Sequence, residues 1–513
     1  MTEIFGIDLG TTNSCIATID ELGGQPVVIN NSFDMQTTPS VIYFDEYDQP
    51  LVGDEAKRSM AMDPSRAVAF IKREMSNATY RRMVGNVEVT PIMASHLILR
   101  KLVEDANAAR EFEGKKPVKK AVITVPAYFG NDERERTRKA GELAGLEILD
   151  LVNEPTAAAL SYGKATFTEG KTVMVYDLGG GTFDVSIIKM RNGKLDTIST
   201  DGDHKLGGVD WDATLVDFAL LSKGLDVTYD DIADKKEGGQ LILEAEKCKK
   251  MLSTNDKAPM KFRYKGKMMS LEVTRAVFEE LTIENLNKTI NCVRRAVQLA
   301  KVEDSDLNID EIILVGGSSR MPMVRKKLEK EFPNVKIRMD RFEPDLAVAK
   351  GAAIHAQNLT EKTPRKGRPM IGVDKGSRSY GVNAIDTSDG NTEKIFNLLY
   401  RTEPLEIDKK IDGFSTYAEG QTKLSIKFYE NASPDYAVPI NKGKLLQTAT
   451  IDWGTPVPKG TPITYNIIRG KDGIVHIAAQ CQGKSCNVTI DSGKVISDDE
   501  MKRIKSEFED IEL

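Results

Sequence analysis

Cysteine is scarce in this chain: five in 513 residues, odd in number and widely scattered, which excludes a disulfide framework and suits a reducing compartment. Histidine is scarcer still, with four, and none stands beside Cys or Glu at the spacing a zinc site requires. No apolar run approaches the roughly 18 residues of a membrane-spanning helix. Positive charge is not in excess either. Lys and Arg number 71 against 77 Asp and Glu, a formal charge of −6, whereas nucleic-acid binders carry clustered basic residues. No nucleic acid and no membrane are therefore expected as partners. The first strand-like run, Ile4 to Ile7, begins almost at Met1, which leaves no room for a secretion signal and predicts a cytoplasmic protein.

What is present is the balance of a globular protein, 40% apolar and 29% charged. The chain is too long for one core, because cores stop growing near roughly 250–300 residues, so at least two domains are expected. Residues 1–358 alternate apolar strand candidates (Ile4–Ile7, Ala121–Val125, Val173–Tyr176, Ile312–Val315) with helical spacing at Ala94–Ala108 and Met323–Phe332, an α/β pattern. Residues 359–373, polar and basic around Pro364, Arg365, Lys366, Gly367, Arg368 and Pro369, read as a linker. Residues 374–496 carry short alternating runs between Gly, Pro, Asn and Asp, including Leu424–Tyr429, Ile463–Ile468, Ile474–Ala479 and Asn487–Ile490, the pattern of a β-sandwich. In residues 497–513, Ser497 and Glu500 form a capping-box pattern, and Met501, Ile504, Phe508 and Ile511 form a helical stripe.

The most informative feature is a weak internal repeat: Ile7-Asp8-Leu9-Gly10-Thr11-Thr12 is echoed by Tyr176-Asp177-Leu178-Gly179-Gly180-Gly181-Thr182. Each is a strand, an Asp and a glycine turn. Such a turn presents backbone N–H groups with no Cβ in the way, so phosphate oxygens approach closely. Two facing turns would grip a polyphosphate, with each Asp holding Mg²⁺ through water. A third turn, Val315-Gly316-Gly317-Ser318-Ser319-Arg320, again follows a strand and precedes a helix, a place where a nucleoside meets backbone. Glu169-Gly170-Lys171-Thr172 matches the end of a P-loop, but Ala165 replaces its first glycine. No Gly-x-Gly-x-x-Gly follows a strand and opens a helix, which disfavours a dinucleotide fold.

These turns, together with Val125-Pro126-Ala127-Tyr128-Phe129, Asn153-Glu154-Pro155-Thr156-Ala157-Ala158-Ala159 and Pro344-Asp345-Leu346-Ala347-Val348-Ala349, resemble the signatures of DnaK-type seventy-kilodalton heat-shock chaperones, in the family's order. The resemblance implies an actin-like (ribonuclease-H-like, duplicated) ATPase domain driving a β-sandwich peptide-binding domain. It implies ATP or ADP with Mg²⁺ as cofactors and K⁺ as a further candidate ion. By the same resemblance Asp8 and Asp177 position Mg²⁺, Lys72 and Glu154 arrange the attacking water, and Thr182 lies beside the γ-phosphate. Gly10, Thr11, Thr12 and Asn13 face one side of the phosphates, and Gly179, Gly180 and Gly181 the other. Glu246, Lys249, Lys250 and Ser253 match the helix that holds ribose and adenine, opposite Gly316, Gly317, Ser318, Arg320 and Asp345. Pro126 and Arg134 match a proline switch and its relay. Phosphoryl transfer to water needs positioning and charge neutralisation more than covalent help, which these residue types supply.

The chain also departs from the family. Asn13 stands where many members have Tyr, and the Met75–Pro91 connection is short, as in the small HscC-like branch. Lys250 replaces an Arg that lies flat over the base in some members. The linker sequence Met370-Ile371-Gly372-Val373 is poorer in branched aliphatics than usual, so weaker docking on the ATPase domain is expected. The long helical lid is expected to be missing, because the sequence reaches Leu513 one helix into that region. The resemblance implies unfolded or extended polypeptides as substrates, lying along Val382, Ile385, Phe414, Leu424 and Ile426 beneath an arch containing Tyr417. It implies a J-domain co-chaperone and a nucleotide exchange factor as partners. Asp150 stands where the J-domain usually meets an Arg, which points to a dedicated partner. Cys481 and Cys486 face each other directly if Gly483-Lys484 is the hairpin turn and fall out of register if Gln482-Gly483 is; reduced thiols are the expected state. The alternatives are a sugar or metabolite kinase, or a filament-forming relative, of the same actin-like fold. Neither calls for the appended β domain.

Overall fold

The computed structural model describes residues 3–20, 23–163, 168–339, 343–360, 370–372, 375, 378–404, 406–470, 475–490, 498–508, 511 and 513. The chain divides into two compact units, one of residues 1–127, 136–372 and 496–513, the other of residues 128–135 and 373–495. Ala165, Pro364 to Pro369, Val373, Asp374 and Ser497 lie outside the described residues.

The first unit contains the same sheet twice. In one copy the order is Glu147–Asn153, Lys120–Val125, Phe5–Asp8, Asn13–Ile19, Pro26–Ile29; in the other it is Lys336–Arg338, Glu311–Val315, Thr172–Leu178, Phe183–Arg191, Lys194–Asp203. Each begins with three parallel strands and finishes as an antiparallel meander. The inner parallel strands Lys120–Val125, Phe5–Asp8, Glu311–Val315 and Thr172–Leu178 read as near-continuous apolar runs because both of their faces are buried. The helices Glu154–Tyr162 and Ala347–Thr360 share one core with Val122 and Val152 of the first sheet and Val173, Val175 and Ile313 of the second. They cross at backbone contact: a Cβ on Gly351 would lie 1.6 Å from the carbonyl oxygen of Ala157. The alanines along both helices make this approach possible.

The duplicated topology gives the sequence repeat its meaning. Each Asp-Leu-Gly turn closes the hairpin between the central strand and the first strand of its meander, with Asp8 opposite Cys15 and Asp177 opposite Asp184. Most observed elements extend the expected ones by one to a few residues, whereas the expected Ile4–Ile7 and Met323–Phe332 are each displaced by one residue, to Phe5–Asp8 and Pro322–Glu331. Pro322 opens the Pro322–Glu331 helix at its first turn, where its missing N–H is harmless.

Two segments differ from the sequence reading. Met370 and Ile371 were expected in an unstructured linker but form a short strand that pairs in parallel with Lys194 and Leu195 at the edge of the second sheet. Their apolar side chains are half-buried, and the open strand edge supplies the hydrogen-bond partners that the local composition lacks. The Asp498–Phe508 helix belongs to the first unit. Its stripe buries Ile504 and Phe508, while Arg100, on the Pro91–Phe112 helix, donates to the carbonyl oxygens of Phe508 and Ile511, and Lys101 donates to that of Leu513 at 2.9 Å.

The second unit contains two antiparallel sheets, Ala437–Pro439, Thr392–Leu399, Ser379–Asp386, Gln421–Asn431, Lys444–Val457 and Ile407–Ser415, Pro462–Arg469, Val475–Cys481, Lys484–Ile490. Alternate residues from both sheets, among them Val382, Phe428, Tyr465 and Ile477, meet in one core. Gln482 and Gly483 form the hairpin turn with φ of 48° and 72°, the left-handed values that suit strand twist. Cys481 therefore faces Lys484, Cys486 faces Ala479, and both thiols are free. Among the described residues no helix is long and apolar enough to cross a membrane.

His96, within the Pro91–Phe112 helix, is buried with no partner for Nδ1. Burial, reinforced by Arg100, pulls its pKa from 6.5 to about 4. Because the folded value lies below the unfolded one, the unfolded chain binds more protons between these values. The stabilising contribution is complete above pH 6.5 and is lost as pH falls towards 4. Unfolding free energies from urea titrations across that window should fall for the wild type by an amount that includes roughly 3 kcal/mol from this group. His96→Leu should flatten the curve; an unchanged slope would mean that folding does not lower the pKa of His96.

Candidate functional site

The two glycine turns touch. A Cβ on Gly180 would stand 1.8 Å from Thr12 Oγ1, and one on Gly181 would stand 2.1 Å from Thr11 Cγ2. Glycine is required here by close approach rather than by dihedral angle. The first turn is braced by Ser14 and Ser40: Gly10 N donates to Ser14 Oγ at 3.0 Å, and Ser40 Oγ donates to Gly10 O at 2.8 Å. The second is braced by the start of the Gly208–Leu221 helix, where Gly208 N and Val209 N donate to the carbonyl oxygens of Gly179 and Gly180 at 3.0 and 2.8 Å. The hydroxyls of Thr12 and Thr156 are buried with no partner, and Asn13 is exposed.

Beside the turns lies a cluster of buried and half-buried carboxyl groups around one ammonium. Lys72 sits in the short Ile71–Glu74 turn, donates to Leu9 O at 2.6 Å and pairs with Glu154, the first residue of its helix. Asp8 accepts from Thr124 Oγ1 at 3.2 Å, and Asp184 accepts from Ala127 N at 3.1 Å. Burial, then the charge of Glu154, pushes the Asp8 carboxyl up to about 7. Asp177 and Asp184 are pushed well above the usual carboxylate range by burial and by their acidic neighbours, with Lys72 only partly offsetting this. Such an excess of enclosed negative charge fits a hydrated divalent cation, whose preferred ligands are oxygen and water.

The Lys236–Leu252 helix carries Glu246, Lys249 and Lys250, with Ser253 at its end. Burial opposes the charge of Glu246, but Lys57 at 2.8 Å and Lys250 at 2.7 Å outweigh it and hold the carboxyl down at about 2. Lys249 is buried and committed, donating to Gly208 O at 2.8 Å and to Asp212 at 2.7 Å. Burial pushes Asp212 up to about 6 against the pull of Lys249. The third turn packs on the second: Gly316, at φ 79°, lies against Asp177 and Leu178. Gly317 abuts Asp345, Ser318 approaches Gly208, and Arg320 pairs with Asp345 at 2.9 Å.

The three turns, Lys72, Glu154 and the Lys236–Leu252 helix thus border one region of the first unit. The sequence reading did not single out Lys57, Arg73, Asp184, Asp210 or Asp212 as members of it. Asp184 had a local signal, since it mirrors Asp177 across the glycine turn. The others had none, because their partners lie far off in sequence. Of the residues expected to line a peptide groove, Val382 and Ile426 are enclosed in the core of the second unit. Ile385, Phe414 and Leu424 are half-buried and Tyr417 is exposed. Phe414 stacks edge-on against Phe396 and Tyr465.

A duplicated α/β unit with facing glycine turns beside buried carboxylates is the class of architecture that grips a polyphosphate, and comparison with known proteins specifies it. Residues 4–512 match the family model described as Hsp70 protein. The relatives include the proteins named "Chaperone protein DnaK" from Thermotoga petrophila, Thermotoga sp. strain RQ2 and Thermotoga maritima, each 37% identical over 516 residues, covering 98% of this chain and 82% of the relative. The chain belongs to the Hsp70 family. It is an ATP-dependent molecular chaperone and an ATPase, which sets aside the kinase and filament alternatives.

The contact between the turns makes a direct prediction. Overpacking costs about 1–3 kcal/mol, so Gly180→Ala should part the turns and weaken ADP binding by about tenfold or more in calorimetry. Gly193→Ala, at a hairpin turn with nothing within 4 Å but with φ 73°, should strain that turn and leave affinity unchanged. Equal affinities in both variants would show that the turns do not enclose the phosphates.

Proposed function

We propose that the first unit is an actin-like ATPase in which Asp8 and Asp177 hold Mg²⁺ through water, with Asp184 beside them. The observation that carries this reading is the cluster of carboxyl groups with raised pKa beside two touching glycine turns. Bound Mg²⁺ would neutralise phosphate charge. Mg²⁺ dehydrates reluctantly, so the ion would keep much of its water. The Gly10 to Asn13 and Gly179 to Gly181 turns receive phosphate oxygens through backbone N–H groups other than those of Gly10 and Gly179, which donate to Ser14 Oγ and Thr182 O. Glu154, fixed by Lys72, orients the attacking water, and the Thr182 hydroxyl faces the transferred phosphoryl. The Lys236–Leu252 helix, with Glu246, Lys249, Lys250 and Ser253, takes the ribose and base opposite Gly316, Gly317, Ser318, Arg320 and Asp345. Potassium is a further ion for this site.

We further propose that residues 374–496 bind extended apolar segments of unfolded polypeptides by main-chain pairing, with one aliphatic side chain seated near Leu424. Tyr417 is exposed and Ile385 and Phe414 are half-buried, and Val382 and Ile426 would support the groove from the core side. ATP hydrolysis in the presence of Leu-rich peptides tests the whole reading. The wild type should be stimulated. Glu154→Gln and Thr182→Ala should each lose about 10²-fold or more in single-turnover rate, the scale of removing one transition-state contact, while still binding nucleotide. Leu424→Asp should keep basal hydrolysis and lose peptide stimulation. Wild-type rates in the first two variants, or full stimulation in the third, would overturn the assignment.

A J-domain co-chaperone and a nucleotide exchange factor complete the proposed cycle, in the cytoplasm. Asp150 accepts from or pairs with His355 Nε2 at 2.7 Å on the edge of the first sheet. A J-domain offering a carboxylate meets like charge there, so the proposed partner has altered charge. A standard J-domain protein should stimulate the wild type weakly and Asp150→Arg more strongly; equal, strong stimulation of both would refute this.

A further inference from the structure

Lys72 and Arg73 are consecutive, yet they serve different turns. The Ile71–Glu74 turn starts from Phe70 in a left-handed conformation, φ 59°, which directs the following side chains into the site. Lys72 reaches back to Leu9 O, next to the first glycine turn. Arg73 reaches the second: its Nε donates to Gly181 O at 2.7 Å and its Nη2 pairs with Asp210 Oδ2 at 2.6 Å.

Asp210 is itself locked to that turn. Its Oδ2 also accepts from Gly207 N at 2.7 Å, and Gly207 lies so close to Gly181 that a Cβ there would meet Gly181 N at 2.5 Å. The Arg73 and Asp210 side chains are only 15% and 28% exposed, so solvent screens the pair weakly. No other residue type makes this bridge. Arginine's planar fork presents Nε and Nη in different directions at once, whereas a lysine ammonium would have to choose between carbonyl and carboxylate.

We propose that Arg73 is a positioning residue for ATP hydrolysis, a clasp that holds the Gly179 to Thr182 turn against the Gly10 to Asn13 turn with Asp210 as its anchor. This rests on the ATPase reading of the same site. Nucleotide held between the turns leaves only when they part, so the clasp governs release as well as the placement of Thr182.

Release of a fluorescent ADP analogue by stopped flow, with single-turnover ATP hydrolysis alongside, tests the proposal in the full chain. A charge-assisted pair of this kind justifies an expected acceleration of release of about tenfold in Arg73→Ala and in Asp210→Asn. Asp210→Asn keeps an amide oxygen for Gly207 N, and Arg73→Lys keeps charge and length. Arg73→Lys should also release quickly, and guanidinium added to Arg73→Ala should restore slow release. The double variant Arg73→Ala/Asp210→Asn should be no faster than Arg73→Ala alone, because both changes break one clasp. Release at the wild-type rate in Arg73→Ala and Arg73→Lys, or multiplicative effects in the double variant, would overturn the clasp. If the wild type itself fails to hydrolyse ATP, the ATPase reading falls instead, and the two failures are distinguishable.

Discussion

The structure depends on the contact between two glycine turns that are distant in sequence. Gly180 lies against Thr12 and Gly181 against Thr11 with no space for a side chain. To bring these loops together, two copies of one sheet must present the same hairpin toward each other, and the helices between them must pack closely. The alanine-rich Glu154–Tyr162 helix and the Ala347–Thr360 helix with Gly351 at their crossing satisfy that condition. A larger residue at the crossing would push the sheets apart and separate the turns.

Charge is the second constraint. Asp177 and Asp184 are buried and Asp8 is half-buried, all next to Glu154, with Lys72 as their closest compensation. Left alone, such a cluster destabilises the unit, since buried carboxylates lose hydration and repel one another. A site of this kind gives up stability for function, and a cation that relieves the repulsion stabilises the folded state by mass action. The ion pairs nearby differ in kind. Lys57 and Lys250 hold Glu246 ionised, whereas Lys249 is drawn away to Asp212 and Gly208, leaving it less free to reach a ligand than the sequence alone suggests.

Much of the fold was legible because its signals are local. The central strands announce themselves as apolar runs, Pro322 marks its helix start, and the Asp-Leu-Gly repeat marks both hairpins. What was not legible depended on a partner elsewhere. Met370 and Ile371 become a strand only because Lys194 and Leu195 offer an open edge. The register of Cys481 and Cys486, which the sequence left open, was decided by the turn at Gln482 and Gly483 with its positive φ. The apolar alternation around Val382 and Ile426 marks buried strand faces, but the same alternation serves for a core and for a groove.

The sequence by itself determined the family, the ATPase chemistry and the residues of the glycine turns, because each of these is written in contiguous motifs whose residue types have few other uses. Only the tertiary structure decided that Arg73 bridges to Gly181 and Asp210, that Asp184 joins the acidic cluster, and that the Asp498–Phe508 helix settles on the Pro91–Phe112 helix. The physical reason is distance along the chain. A charged side chain has no local signature of its partner, and its role is set by whichever backbone carbonyl or carboxylate the fold carries to within about 3 Å of it.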